Sequence, residues 1–372
     1  MKRLLLIGGG HSHIEVVRQF GARPAPDVEV TLIDAERFAT YSGMLPGLIA
    51  GHYNFHDCHI DLAGLARHAG IRFMQARACG IDTAHRQVKL DDGGALDYDL
   101  LSIDAGSTPP LATIPGAADH VFAVKPFATF AKNWDALIER ACRGELHTIV
   151  AVGGGAAGIE LILAMQYRLA QSAASRSTKF ALVTNAPCVL PDHNAGTRAA
   201  LERLLIERGI ALHLNAGVGQ VEADALVLAD ATRISVDATI WATGTGAPAW
   251  LRETGLALDA HGFIAINEHL ASVSHAEIFA AGDCASMIAH NYPKSGVYAV
   301  RQGPVLAENL RLAPDGKPLR IYRPQRIALA LISAGNQYAV ASYGRYTYEG
   351  AWVWRWKNHI DCKFMRKYRV ES

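Results

Sequence analysis

Gly8-Gly9-Gly10-His11-Ser12-His13-Ile14-Glu15 reappears later in the same chain as Gly153-Gly154-Gly155-Ala156-Ala157-Gly158-Ile159-Glu160. Each copy follows an apolar run that reads as a buried strand, Leu4-Leu5-Leu6-Ile7 first and Thr148-Ile149-Val150-Ala151-Val152 second. Each also opens a helix-like stretch, which sets the glycines where a dinucleotide pyrophosphate would meet a helix N-terminus. One glycine-rich turn is weak evidence. Two in 372 residues point to duplicated domains that hold two dinucleotides, and hence to electron transfer between two nucleotide cofactors.

The repetition extends beyond the turns. A helix over about 14–20 and a strand over 28–33 ending in Asp34 follow the first copy. A helix over about 159–172 and a strand over 179–183 follow the second. Alternating short strands come next, over 71–99 and 210–237, and each meander runs into a strand that ends in glycine, at Gly106 and Gly244. Gly8 to Gly106 spans 98 positions and Gly153 to Gly244 spans 91, so the copies keep their order and nearly their length. This pattern predicts an α/β fold with two Rossmann-like doubly wound domains, each with an antiparallel insertion, and a small C-terminal α+β segment. The prolines at 109, 110, 115 and 248 mark the crossings between domains.

Bulk properties narrow the function. Half the residues are hydrophobic and the formal net charge is +1, so the basic excess that nucleic-acid binding requires is missing. The six cysteines are scattered without a C-x-x-C pair, which argues against a secreted disulfide framework and for a reducing cytoplasm. The apolar run at the N-terminus stops after four residues, too short for the core of a signal peptide. No stretch is long and apolar enough to span a bilayer.

Each turn departs from the dinucleotide fingerprint in its own way. In the first, Gly8 permits the tight turn, Gly10 the close approach to pyrophosphate, and Asp34 is the carboxylate for an adenosine ribose. His13 occupies the third glycine position, where helix and strand normally pack closely. The second turn has all three glycines, Gly153, Gly155 and Gly158, but its strand runs into Thr184-Asn185, without an acid for a ribose or an arginine for a 2′-phosphate.

The third element, Ala276-Glu277-Ile278-Phe279-Ala280-Ala281-Gly282-Asp283-Cys284-Ala285, is a buried strand ending at glycine–aspartate. With the two turns and the strands ending at Gly106 and Gly244, the chain resembles the two-domain flavoproteins of the pyridine nucleotide–disulfide oxidoreductase superfamily. The resemblance implies FAD on the first domain, with Asp283 on its ribityl–pyrophosphate portion, and NAD(P)H on the second. It implies FAD-domain parts at 1–115 and 253–318, an NAD(P) domain at 116–252, and a closing segment at 319–372. The redox cysteine pair of that superfamily is replaced by Ala39-Thr40-Tyr41-Ser42-Gly43-Met44-Leu45-Pro46-Gly47, which is similar to type II NADH dehydrogenases and sulfide:quinone oxidoreductases.

Gly-Gly-Gly-His-Ser-His at 8–13, Tyr-Ser-Gly-Met-Leu-Pro at 41–46, His-Ile-Asp-Leu at 59–62 and Val-Arg-Gln-Gly-Pro at 300–304 carry a closer resemblance. They match the NADH dehydrogenase-like family fused to, or encoded beside, selenophosphate synthase, which adds that enzyme as an expected partner. On these motifs His11, Ser42, Pro46 and Gln302 join the expected cofactor contacts. Glu160 matches a glutamate near the nicotinamide–flavin contact of type II dehydrogenases, and Lys294 precedes the helix expected to face the flavin's pyrimidine side; these are the candidate catalytic residues. A helix-terminal structural carboxylate and a solvated lysine are the competing readings.

His52, His56, Cys58 and His59 cluster, but with no recognised zinc spacing, so no metal site is expected. In the tail, Ile360, Phe364 and Tyr368 recur at helical spacing amid Arg355, Lys357, Lys363, Arg366, Lys367 and Arg369. That pattern suits either a stripe packed on the FAD domain or across a homodimer, with its cations solvated, or a peripheral contact on the inner face of the membrane. The expected activity is an FAD-dependent NAD(P)H dehydrogenase that passes electrons to a quinone or other small acceptor without a redox disulfide. The rivals are a sulfide- or selenium-compound-oxidising flavoprotein with a vestigial NAD site and a non-catalytic flavin-bearing partner of selenophosphate synthase.

Overall fold

A computed structural model describes residues 1–290 and 292–370. Its frame is two five-stranded, wholly parallel sheets of the same design. In the first, the strand Lys2–Ile7 lies at the centre, flanked by Val28–Asp34 and Leu100–Ile103, with Arg72–Gln75 and Ile278–Ala280 at the edges. In the second, Thr148–Val152 lies at the centre, flanked by Lys179–Val183 and Ala238–Trp241, with Ile210–His213 and Val121–Ala123 at the edges. These strands read as near-continuous apolar runs because helices cover both faces of a parallel sheet. Each sheet has its own apolar core.

The α/β architecture matches the expectation, with three adjustments to the elements. The helices after the two glycine turns span His11–Ala22 and Ala156–Ala170, so each begins three residues earlier than the apolar periodicity indicated. Free N–H groups at those first turns suit a ligand or a capping group, so polar or small residues there do not argue against helix. The meanders are also shorter than expected. Arg72–Gln75 and Ile210–His213 join the parallel sheets, leaving three-stranded antiparallel insertions at 78–97 and 218–235.

Third, the C-terminal segment is a three-stranded antiparallel sheet followed by a helix, Ala351–Tyr368, whose buried stripe is Val353, Lys357, Asp361, Met365 and Tyr368. Ile360 is exposed, and Lys357 is not among the solvated cations. Among the described residues, no helix is long and apolar enough to cross a membrane.

The two sheets are cross-linked in sequence. The last strand of the first sheet comes from beyond the second, and an edge strand of the second precedes that sheet's own glycine turn. The two crossings meet at a short antiparallel bridge between Thr108 and Gly246. The helix Gly296–Leu312 then packs along His11–Ala22. Gly303 permits that approach, since a Cβ there would stand 2.8 Å from the Glu15 Cβ.

Candidate functional site

A cavity of about 580 Å³ opens at the carboxyl ends of both sheets. That is where doubly wound folds bind ligands, and the size suits a cofactor. One wall is the first glycine turn. Gly8 has φ +92°, and a Cβ there would lie 2.4 Å from the Asp104 carbonyl oxygen, so only glycine fits. The Gly9 N–H donates to Asp34 Oδ2 at 2.5 Å and the Glu36 N–H to Asp34 Oδ1 at 2.7 Å. Burial raises the Asp34 pKa above the usual carboxylate range despite these donors.

His13 resolves the missing glycine. At the second turn, Gly158 packs so closely that a Cβ would meet the Gly153 carbonyl oxygen at 2.0 Å. At the first, the His13 ring reaches the matching carbonyl, with Nδ1 donating to Gly8 O at 2.6 Å and Nε2 accepting from Ser102 Oγ at 2.8 Å. Burial pushes this imidazole down to about 4, which keeps it neutral and suits that tautomer.

Asp104 is a site residue that motif reading missed. It accepts the N–H groups of Ser12 (2.8 Å) and His13 (3.2 Å) at the first helix's N-terminus. Its carboxyl fills the space beneath Gly10 and Gly282. Burial pushes it up to about 7, against the pull of those donors. An acid at the end of the buried run Leu100–Asp104 was the available signal. Asp283 accepts from Lys125 Nζ at 2.8 Å and from Ser107 Oγ at 3.2 Å, so Lys125 also belongs to the site.

Gly8, Gly10, His11, Asp34, Ser42, Pro46, Gly106, Gly244, Gly282, Asp283, Glu160 and Lys294 all line the cavity. Gln302 does not. It is fully buried behind the wall, where its Oε1 accepts the Gly282 N–H at 2.7 Å and its Nε2 donates to Tyr292 at 2.7 Å, so it supports the glycine–aspartate turn from behind. Gly153, Gly155 and Gly158 lie beside the cavity rather than on its wall. A Cβ on Gly155 would meet nothing within 4 Å, which leaves the room a dinucleotide backbone needs.

The arrangement fits FAD. The tight turn, the Asp34 carboxylate and the long cavity accommodate an extended dinucleotide. The His11 ring adds a buried Nε2 with no partner among the described residues. The helix Gly296–Leu312 directs an N-terminus without a side-chain cap at the far end, beside Ser42. Lys294 is less free than expected. Its ammonium donates to the Ala285 carbonyl and sits 4.1 Å from the centre of the Phe263 ring, and burial lowers its pKa.

Glu160 reaches the cavity from the second domain. The Ser333 N–H donates to it at 2.8 Å, and burial pushes it up to about 7, opposed by Lys357. Lys357 and Asp361, four residues apart on the C-terminal helix, form a buried pair at 2.6 Å; Tyr41 donates to Asp361 at 3.0 Å and Lys357 also donates to the Gly43 carbonyl. Helical position was the only signal for this group, because a buried Lys–Asp pair and a solvated one have the same spacing. No cysteine lines the cavity, and burial pushes the thiols of Cys58 and Cys284 up to about 12.

A family model described as pyridine nucleotide-disulphide oxidoreductase matches residues 2–303. The chain is 23% identical over 326 residues to NADH dehydrogenase-like protein YutJ of Bacillus subtilis, covering 87% of each. It is 25% identical over 355 residues to human ferroptosis suppressor protein 1, covering 90% of this chain and 86% of that one. The fold is similar to sulfide:quinone oxidoreductase of Aquifex aeolicus, with TM-score 0.82, 19% identity and coverage of 99% and 92%. It is also similar to NDH2 of Plasmodium falciparum, solved with NADH, with TM-score 0.81, 14% identity and 98% of each chain covered.

Proposed function

Because the chain belongs to the pyridine nucleotide-disulphide oxidoreductase family, a family of FAD- and NADH-dependent oxidoreductases, we propose that it is an NAD(P)H dehydrogenase whose electron acceptor is a quinone. The observation that carries this reading is the single cavity walled by both glycine-turn domains, with Gly8 and Asp34 at one end and Glu160 and Gly244 on the other side. Bound FAD would supply hydride acceptance from reduced nicotinamide and electron delivery to the second substrate. The chain's own residues hold and orient. The first turn and Asp34 would hold the adenosine half, Asp283 and Lys125 the middle, and the helix N-terminus at Gly296 would offset negative charge at the far end.

Glu160 holds a proton near neutral pH at the cavity wall, where quinone reduction needs one. The Lys357–Asp361–Tyr41 group closes the site under the C-terminal helix and fixes that helix over it. No disulfide takes part in this scheme, a reading supported by a cavity lining without cysteine.

The acceptor's source is proposed from the same helix. Trp352, Trp356 and Ile360 repeat every fourth residue on its exposed face, beside the exposed Tyr343, Tyr346 and Tyr348 of the preceding strands, with Arg345 and Arg355 nearby. Tryptophan and tyrosine with flanking cations suit a lipid surface, where a quinone dissolves. This face supports a peripheral location on the inner surface of the membrane as part of the proposal.

Anaerobic addition of NADH and then of NADPH to the purified yellow protein tests the reading. Rapid bleaching, followed by recovery of colour with a short-chain quinone, is expected. A flavin that neither nucleotide reduces overturns it. Trp352→Ala with Trp356→Ala should reduce sedimentation with anionic liposomes; unchanged sedimentation overturns the membrane face.

A further inference from the structure

We infer that the second nucleotide site accepts NADPH as readily as NADH, and that Thr184 is the residue that removes the discrimination. The inference rests on the second turn being the nicotinamide-nucleotide site. Thr184 stands where Asp34 stands in the first sheet, since each follows the residue whose carbonyl accepts the N–H of the first turn glycine (Ile33 to Gly8, Val183 to Gly153), and the two share one local hydrogen bond. Asp34 Oδ1 accepts the N–H two residues on, from Glu36, at 2.7 Å; Thr184 Oγ1 accepts the N–H two residues on, from Ala186, at 3.3 Å. The Asp34 carboxylate lies against Gly9, and Thr184 Oγ1 lies 2.9 Å from where a Cβ on Gly154 would sit.

The charge at the two tips differs. The first site carries two acids, Asp34 and Glu36, at the strand tip. The stretch Thr184–Leu190 has no ionised acid, and Arg198 brings a guanidinium nitrogen to 3.5 Å from Cys188 within it. The residue paired with Val183 on the neighbouring strand is His213, whereas the first sheet sets Met74 beside the equivalent Ile33.

An acid at this tip selects NADH twice over, by accepting from the ribose 2′-hydroxyl and by repelling a 2′-phosphate. A hydroxyl still bonds the 2′-hydroxyl but carries no charge to repel phosphate. Thr184 therefore leaves both nucleotides admissible, with the cation of Arg198 offsetting part of the phosphate's charge.

Titrating the FAD-loaded protein with NAD⁺ and NADP⁺, by calorimetry, reads affinity without turnover. Dissociation constants within about tenfold of each other are expected. Thr184→Asp, which copies the acid of the first site, should weaken NADP⁺ by roughly 30-fold and leave NAD⁺ within about threefold, since like charges set side by side repel. Thr184→Ser, which keeps the hydroxyl, should behave as wild type and controls for folding. A wild-type preference for NAD⁺ beyond about 100-fold overturns the inference, as does an unchanged ratio in Thr184→Asp. If both nucleotides bind but neither reduces the flavin, the dehydrogenase reading falls and the specificity assignment stands. Binding of neither overturns both.

Discussion

The two copies of the glycine signature end in the same residue, and the two glutamates have opposite fates. Glu15 is buried, but Arg18, Gln19, Lys367 and Tyr368 all donate to it, and together they outweigh its desolvation and bring it down to about 2. Glu160 has one backbone donor, and burial pushes it up to about 7. The first glutamate fastens the C-terminal helix to the first domain; the second is left holding a proton at the cavity. Position in a motif sets where a side chain starts, and the number of donors it meets decides its chemistry. The glycines show the same division. Gly10 lies over the Asp104 carboxyl, whereas Gly155 faces open space.

The largest effect that would break this comparison comes from the glycines. Gly155→Val should keep thermal stability within a degree or two while slowing anaerobic flavin bleaching by about 1,000-fold, roughly 4 kcal/mol of lost positioning. Gly10→Val should instead cost folding or FAD retention. Equal behaviour of the two would mean that the turns are not specialised.

His13→Gly restores the fingerprint on paper, yet it should lower unfolding free energy by about 3 kcal/mol in a denaturant titration, because a buried ring and its two hydrogen bonds are lost. The sign of its pH effect follows from the depressed pKa. Wild-type stability from His13 is complete above about 6.5 and is lost as pH falls toward about 4, and the variant should lack that slope. A stabilised variant would show that His13 is a defect rather than a replacement.

Glu160→Gln should slow reoxidation by quinone about 100-fold and abolish an inflection near pH 7. In the wild type the rate should fall as pH rises through that value, because the protonated carboxyl is depleted. A rate and profile left unchanged by the substitution would remove Glu160 from the reaction.

Glu15→Gln, the smallest effect, should cost about 2 kcal/mol without changing either half-reaction. Glu15 has a depressed pKa, so its contribution is present above about 4.5 and is lost as pH falls toward about 2; the variant's acid limb should be shallower. A change in quinone kinetics would mean that the two glutamates are not separate in role.

The duplicated frame was legible because glycine turns and apolar strands are local signals with fixed spacing. Most of the candidate cofactor residues were legible for the same reason. Asp104, Lys125, Lys357 and Asp361 were not, since each acquires its role from a partner far away in the chain: Asp104 from the first helix, Lys125 from Asp283, and the Lys357–Asp361 pair from Tyr41 and Gly43. Gln302 erred the other way. A polar residue in a recognised motif reads as a cofactor contact, and in the structure it braces the Gly282 backbone behind the cavity wall.

The strand exchange between the two sheets also governs assembly during translation. The second sheet has all five of its strands once Trp241 has been made, because its early edge strand, Val121–Ala123, precedes the rest. The first must wait with the edge of Leu100–Ile103 unpaired until Ile278–Ala280 emerges from the ribosome. At ordinary synthesis rates that delay lasts roughly nine to thirty-five seconds. Of the two parallel sheets, the one begun first is therefore completed second, and a nascent chain stalled between the two points presents an open sheet edge to chaperones or to another copy of itself.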